Sequence, residues 1–244
     1  MRGFTFVLVL SLFGFLAQAR TGVDLSVATT VDTWNCLKSE HNVDYAIIRV
    51  YRSLGEVDTN SANTIKNVAS AGIKDIGAYM FPCMPTASYN VGHNITCPSV
   101  EKQIQSTLDF LKSNNVVIQR DAAQTADIVA VNRMWLDIED EVPSKYYDAD
   151  PVKNQAFMQE YIDTLTNLQI PIGIYTTKTY WQNIMGNIEG YSKYPLWYPR
   201  YDNVDSMDFF ATFGGWTEVQ IKQTAGDAPW CGISQVDTDY SLDV

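Results

Sequence analysis

The stretch Met134-Trp135-Leu136-Asp137-Ile138-Glu139-Asp140 decides the reading of this chain. It is an apolar run that ends in acid. As a strand it buries its apolar residues. Side chains two apart share a face, so Asp137 and Glu139 project together, about 6 to 7 Å apart along the backbone. Carboxylates at the C-terminal end of a barrel strand stand where that architecture places its catalytic groups. Close carboxylates repel, so one keeps its proton to higher pH and can donate it. Cleavage of a glycosidic bond needs such a donor. The competing reading is a solvated acidic loop behind a buried strand, and a lone D-x-E does not separate the two.

Outward from this run, short β-branched or aromatic segments alternate with helical patterns. Residues 22–26, 45–51, 73–81 and 171–175 read as strands. Helices are expected at 60–71 with Ile65, Val68 and Ala69 on one face, and at 99–114 with Ile104, Leu108 and Leu111 in register. Asp150-Pro151 is a cap followed by a first-turn proline, opening a helix with Phe157, Tyr161, Leu165 and Leu168 inward. A shorter helix is expected around 180–185. Strands alternating with helices imply an α/β fold with a parallel sheet, and this many units favour closure into a barrel. The last third differs. Segments 196–201, 208–212, 219–223 and 233–236 are β-like with little helix between them, so the barrel should finish as strands joined by loops.

At the other end, Met1-Arg2 precedes an apolar stretch over 4–16 and the small residues of Ala17-Gln18-Ala19. This is the pattern of a cleaved export signal over 1–19, leaving one catalytic barrel over 20–244. The apolar run is short for a membrane anchor, which needs roughly 20 residues. No later segment is long and apolar enough to span, so no membrane association is expected after cleavage. The net charge is −11, from 17 basic and 28 acidic residues. With no basic run, nucleic-acid binding is not expected. Cys36, Cys83, Cys97 and Cys231 form an even set, which in an exported chain suggests two disulfides with three possible connectivities. The histidines are His41 and His93, both read as surface residues, and no C-x-x-C occurs. Neither a metal nor a cofactor is expected. Asn94-Ile95-Thr96 is a glycosylation acceptor.

Two more acids fall at strand ends. Asp24 ends the first strand candidate and Asp237 follows the last. First and last strands become neighbours when a barrel closes, so all four acids can face one mouth. Tyr79, Phe81, Tyr175, Trp197 and Tyr201 also sit at strand ends, where an aromatic face can stack on a sugar or simply pack in the core. Arg49 suits a structural ion pair better than a contact to a pocket carboxylate.

With these residues in place, the chain resembles the glycoside hydrolase family 25 lysozymes, also called the Chalaropsis type, and within them the amoeba and nematode subgroup. The resemblance is carried by Gly22-Val23-Asp24-Leu25-Ser26, Tyr45 to Arg49, Asp58 with Asn63 and Ala69 to Gly72, and Gly77-Ala78-Tyr79-Met80-Phe81. Trp135 to Glu139, Gly173-Ile174-Tyr175-Thr176, Leu196-Trp197, Tyr201, Gln223 and Val236-Asp237 complete it in the same order. It implies a modified TIM-like barrel, (β/α)5 followed by three β-strands. It also implies hydrolysis of the β-1,4 bond between N-acetylmuramic acid and N-acetylglucosamine of bacterial peptidoglycan. Glu139 then matches the general acid, Asp137 its assisting partner, and Asp24 and Asp237 the two other pocket acids. Met80 departs from the pattern, which often has histidine there. The cysteines and the 92–98 insertion look like subgroup features. Cys83–Cys97 would close a short loop, and Cys36–Cys231 would join elements that barrel closure makes neighbours.

The alternatives are a chitinase and a glycan-binding, regulatory protein without catalysis. Chitinase strands resemble D-x-x-D-x-D-x-E, and here Trp135 and Asn132 occupy two of the acidic positions. The exported enzyme is expected to act as a monomer, in digestion or antibacterial defence. An acidic protein is repelled by anionic walls at neutral pH. Its sequence pI is ≈ 4.5. An optimum of roughly pH 4 to 6 follows from the reference carboxylate values, as in a gut lumen or a lysosome-like vesicle.

Overall fold

The computed structural model describes residues 18–119, 125, 127–140 and 145–242. Residues 1–17, most of the expected export signal, lie outside the described residues. Along the chain, β1 (Ala19–Leu25) leads into α1 (Val31–His41). β2 (Val43–Arg52) and the short β3 (Glu56–Val57) lead into α2 (Ser61–Ser70). β4 (Asp75–Met80) is followed by α3 (Ser88–Gly92) and α4 (Val100–Ser113), then by β5 (Val116–Ile118) and β6 (Val129–Val131). β7 (Met134–Asp137) leads into α5 (Pro151–Asn167), and β8 (Ile172–Tyr175) into α6 (Lys178–Met185). β9 (Leu196–Pro199), β10 (Ile221–Ala228) and β11 (Val236–Leu242) follow with no helix between them among the described residues.

Eight strands close into a barrel in the order β1-β11-β10-β9-β8-β7-β4-β2, with β2 pairing back to β1. Neighbours run parallel except β11, which is antiparallel to both β1 and β10. β3 pairs with β2, and β5 with β6 in a separate two-stranded sheet. The helices cover the outside. Ile65 and Val68 of α2, Ile104 and Leu111 of α4, and Tyr161 and Leu165 of α5 are buried against the strands. Asp150 caps α5 by accepting the Val152 N–H at 3.0 Å, with Pro151 in the first turn.

Three local expectations change. Leu168 is not part of the α5 stripe. The helix stops at Asn167, leaving Leu168 exposed, and Met158 and Ile162 fill the buried face instead. Residues 208–212 form no strand. Because β9 and β10 run parallel, the chain must return along the barrel, and it does so as a loop in which Phe209 and Phe210 pack on Tyr198. The last strand begins at Val236 rather than ending there, so Asp237 lies inside β11.

The barrel interior is filled by Tyr45, Ile47, Trp135, Tyr175, Trp197 and Ile221, with Tyr79 packed against them. Glycines make room for the large rings. A Cβ at Gly22 would lie 2.1 Å from Tyr45, and one at Gly173 would lie 2.2 Å from Trp135. Outside, Cys36–Cys231 ties α1 to the segment before β11 with a Cα–Cα distance of 5.8 Å, and Cys83–Cys97 closes the loop around α3 at 5.5 Å. Asn94 is exposed on that loop, at φ 55. His93 is exposed and stacks on Tyr89, whereas His41 is half-buried under Trp230, their ring centroids 3.9 Å apart.

Candidate active site

The register of the barrel brings the acids together. Asp24 at the end of β1 stands opposite Asp237 of β11. Because β11 runs the other way, its beginning lies at the same mouth as the ends of the parallel strands. Asp137 ends β7, paired with Tyr175 of β8. The alternation continues past the strand. The Ile138 N–H reaches the Tyr175 carbonyl at 2.9 Å, and Ile138 is fully buried. Glu139 therefore returns to the inner face with Asp137.

A pocket of about 80 Å³ is lined by all four acids and by Tyr79, Tyr175, Trp197 and Tyr201. Tyr201 is also well exposed at the rim. Phe81 is not in this pocket. It lies in an adjoining groove with Tyr146 and Tyr180, which meets the pocket at Glu139. Its ring packs edge-on against Tyr146. Phe81 follows the end of β4 at Met80 and packs with the apolar cluster outside the barrel, whereas Tyr79 packs with the interior rings.

Burial raises all four acids above the ordinary carboxylate range. Burial, then the charges of Asp237 and Asp140, push Glu139 up to about 7. Burial and then Glu139 hold Asp137 well above the ordinary carboxylate range, while Arg49 works the other way. Asp137 Oδ1 is buried and accepts no hydrogen bond. Asp24 is raised by burial and then by Asp239 and Asp237. Burial also raises Asp237, against a hydrogen bond from the Asp227 backbone N–H at 2.8 Å. Arg49 pairs with Asp58 at 2.9 Å, the structural role its sequence context suggested.

Three polar residues of the mouth were not among the candidates read from sequence. Gln223 of β10 donates to Asp24 at 2.6 Å and accepts from the hydroxyls of Tyr175 at 2.8 Å and Tyr201 at 2.9 Å. Asp239 lies two residues beyond Asp237 on the same strand face, and that spacing was the signal that could have found it. Asp140 accepts the backbone N–H groups of Lys145, Tyr146 and Tyr147, the last at 3.0 Å. The Tyr147 hydroxyl donates to the Asp137 carbonyl at 2.5 Å. Among the described residues, the cluster spaced to hold a metal is Cys36, Glu40 and Cys231, and its two sulfurs are joined in the disulfide.

The arrangement offers one carboxyl that keeps its proton near neutrality, a second carboxyl beside it with a free oxygen, and aromatic walls. A family model described as lysozyme-like protein 1 matches residues 16–224. The chain is 32% identical over 238 residues to a probable GH family 25 lysozyme 5 of Dictyostelium discoideum, covering 97% of this chain and 95% of that protein. It is 31% identical over 237 residues to lysozyme-like protein 5 of Caenorhabditis elegans, covering 96% and 97%. The fold is shared with a modular autolysin of Streptococcus pneumoniae solved with a synthetic peptidoglycan ligand. There the TM-score is 0.66 and the identity 18%, over 91% of this chain and 46% of that one. Fold, acid-lined mouth and relatives agree: the chain belongs to the glycoside hydrolase family 25 lysozymes.

Proposed function

We propose that this glycoside hydrolase is exported and, as a monomer, cleaves the β-1,4 bond between N-acetylmuramic acid and N-acetylglucosamine, with Glu139 as general acid and Asp137 assisting. The observation that carries the reading is the position of Glu139, held up to about 7 at the edge of a pocket that also contains Asp137, Asp24 and Asp237. A carboxyl in that state still has a proton to give to the leaving glycosidic oxygen at mildly acidic pH. The unpartnered Oδ1 of Asp137 can accept a substrate N–H or face the positive charge that develops at the anomeric carbon. Tyr79, Tyr175, Trp197 and Tyr201 offer faces and hydroxyls to a sugar. The acidic surface favours an acidic working site, such as a gut lumen or a lysosome-like vesicle, where repulsion from anionic walls is reduced.

The test is a digest of purified peptidoglycan followed by mass analysis of the released fragments. New reducing ends on N-acetylmuramic acid support the reading. New ends on N-acetylglucosamine, or no release at any pH, overturn it.

A further inference from the structure

Asp239 is a fifth carboxylate inside the barrel, 2% exposed, one step deeper along β11 than Asp237. Its Oδ1 accepts the indole N–H of Trp197 at 2.8 Å, and its Oδ2 is buried without a hydrogen bond. A half-satisfied carboxyl in such a place is unfavourable by itself, and a leucine of similar volume would carry no such penalty. What the carboxyl holds accounts for the arrangement. The Trp197 ring meets Tyr175 at 4.5 Å, Trp135 at 5.8 Å and Tyr79 at 6.0 Å, each edge to face, and it lines the acid pocket. One hydrogen bond therefore fixes the ring against which three neighbouring aromatics are set.

We propose that Asp239 is a positioning residue for the sugar pocket, acting through Trp197. By holding Nε1 it sets the tilt of the indole, so the pocket wall has its shape before a sugar arrives. Preorganisation of this kind favours binding by removing the ordering cost from the association step. The proposal rests on the reading of this pocket as a glycan site. It adds a residue that touches neither the sugar nor the reacting atoms.

The test uses Asp239→Asn, Asp239→Leu, Trp197→Phe and the Leu/Phe double variant, each shown to be folded. Asparagine keeps an acceptor for the indole and leucine does not. On a soluble peptidoglycan fragment, Asp239→Asn should keep KM within about threefold of the parent. Asp239→Leu should raise KM about tenfold, the loss a single pocket contact carries, with kcat little changed. If Asp239 acts through Trp197, adding the leucine to Trp197→Phe should have little further effect. Near-UV circular dichroism gives a readout independent of any substrate. The band that Trp197→Phe removes should also be lost in Asp239→Leu and kept in Asp239→Asn. Leucine and asparagine variants that behave alike in both readouts would overturn the proposal, as would independent effects in the double variant. If the parent enzyme does not cleave peptidoglycan, the functional reading fails, and the dichroism series still decides the role of Asp239.

Discussion

Asp24 and Asp237 face each other across one rung of the β1–β11 ladder, and the side-chain amide of Gln223 donates to both, at 2.6 Å and 3.4 Å. The same amide accepts from Tyr175 and Tyr201, so it links two acids to two aromatic walls. Gln223→Leu leaves Asp24 without that donor and the two hydroxyls without their acceptor. Stranding buried polar groups costs about 1–3 kcal/mol. The variant should unfold at lower denaturant concentration and lose turnover. Unchanged stability would mean that other groups hold this corner of the mouth.

Glu139→Gln removes the transferable proton and keeps the shape. Hydrolysis of purified peptidoglycan should fall by about 10²- to 10⁴-fold, with an unaltered circular dichroism spectrum. In the parent enzyme, kcat should decline as pH rises through about 7, where Glu139 loses its proton. Turnover still climbing above pH 8 would remove Glu139 from the role of acid.

Stability should fall over the same pH range. Glu139 binds its proton more tightly in the fold than in the unfolded chain. The stability this adds is fully present below about 4.5, its ordinary value, and is lost as pH rises through about 7. Glutamine does not ionise, so it escapes that loss. Glu139→Gln should therefore be more stable than the parent above pH 7, by up to about 3 kcal/mol at 1.4 kcal/mol per pH unit, and equal to it near pH 4. Thermal unfolding at the two pH values measures the difference. A stability difference that is the same at both pH values would show that the carboxylate is well solvated.

Gly173→Ala tests the filling of the barrel. The added methyl would lie 2.2 Å from Trp135, a buried ring with little room to move. Overpacking of this kind costs typically 1–3 kcal/mol. Because Trp135 is two residues before Asp137 on the same strand, activity should fall along with the melting temperature. A methyl accommodated without loss would mean that the interior is looser than its packing implies.

Much of this arrangement is legible in the sequence. The run from Met134 to Glu139 gives a buried strand with two inward acids, because alternation is local and strict. Asp150-Pro151 gives the start of α5 for the same reason, since a cap and a fixed φ act within one turn. What escapes is set by distant partners. The direction of β11 depends on the strands it lies between, so Asp237 was expected after the last strand and stands at its beginning. The role of Gln223 depends on Asp24, which is 199 residues away. Residues 208–212 have β-like side chains but no strand to pair with, and they pack their rings in the loop instead. Phe81 lies just beyond the end of β4, where strand alternation no longer fixes the face, and it packs on Tyr146 and the outer cluster.

The strand that seals the barrel also settles when the enzyme can exist. β1 is the first described strand and β11 the last, and they pair rung for rung from Ala19–Leu242 to Asp24–Asp237. During synthesis, everything from β1 to β10 emerges while one side of the sheet is still open, and one of the four acids of the mouth is still missing. The final rungs join residues separated by nearly the whole chain, the kind of contact that forms slowly and late. A nascent or prematurely terminated chain therefore has no complete active mouth. The molecule acquires its acid pocket only in the act of finishing its fold.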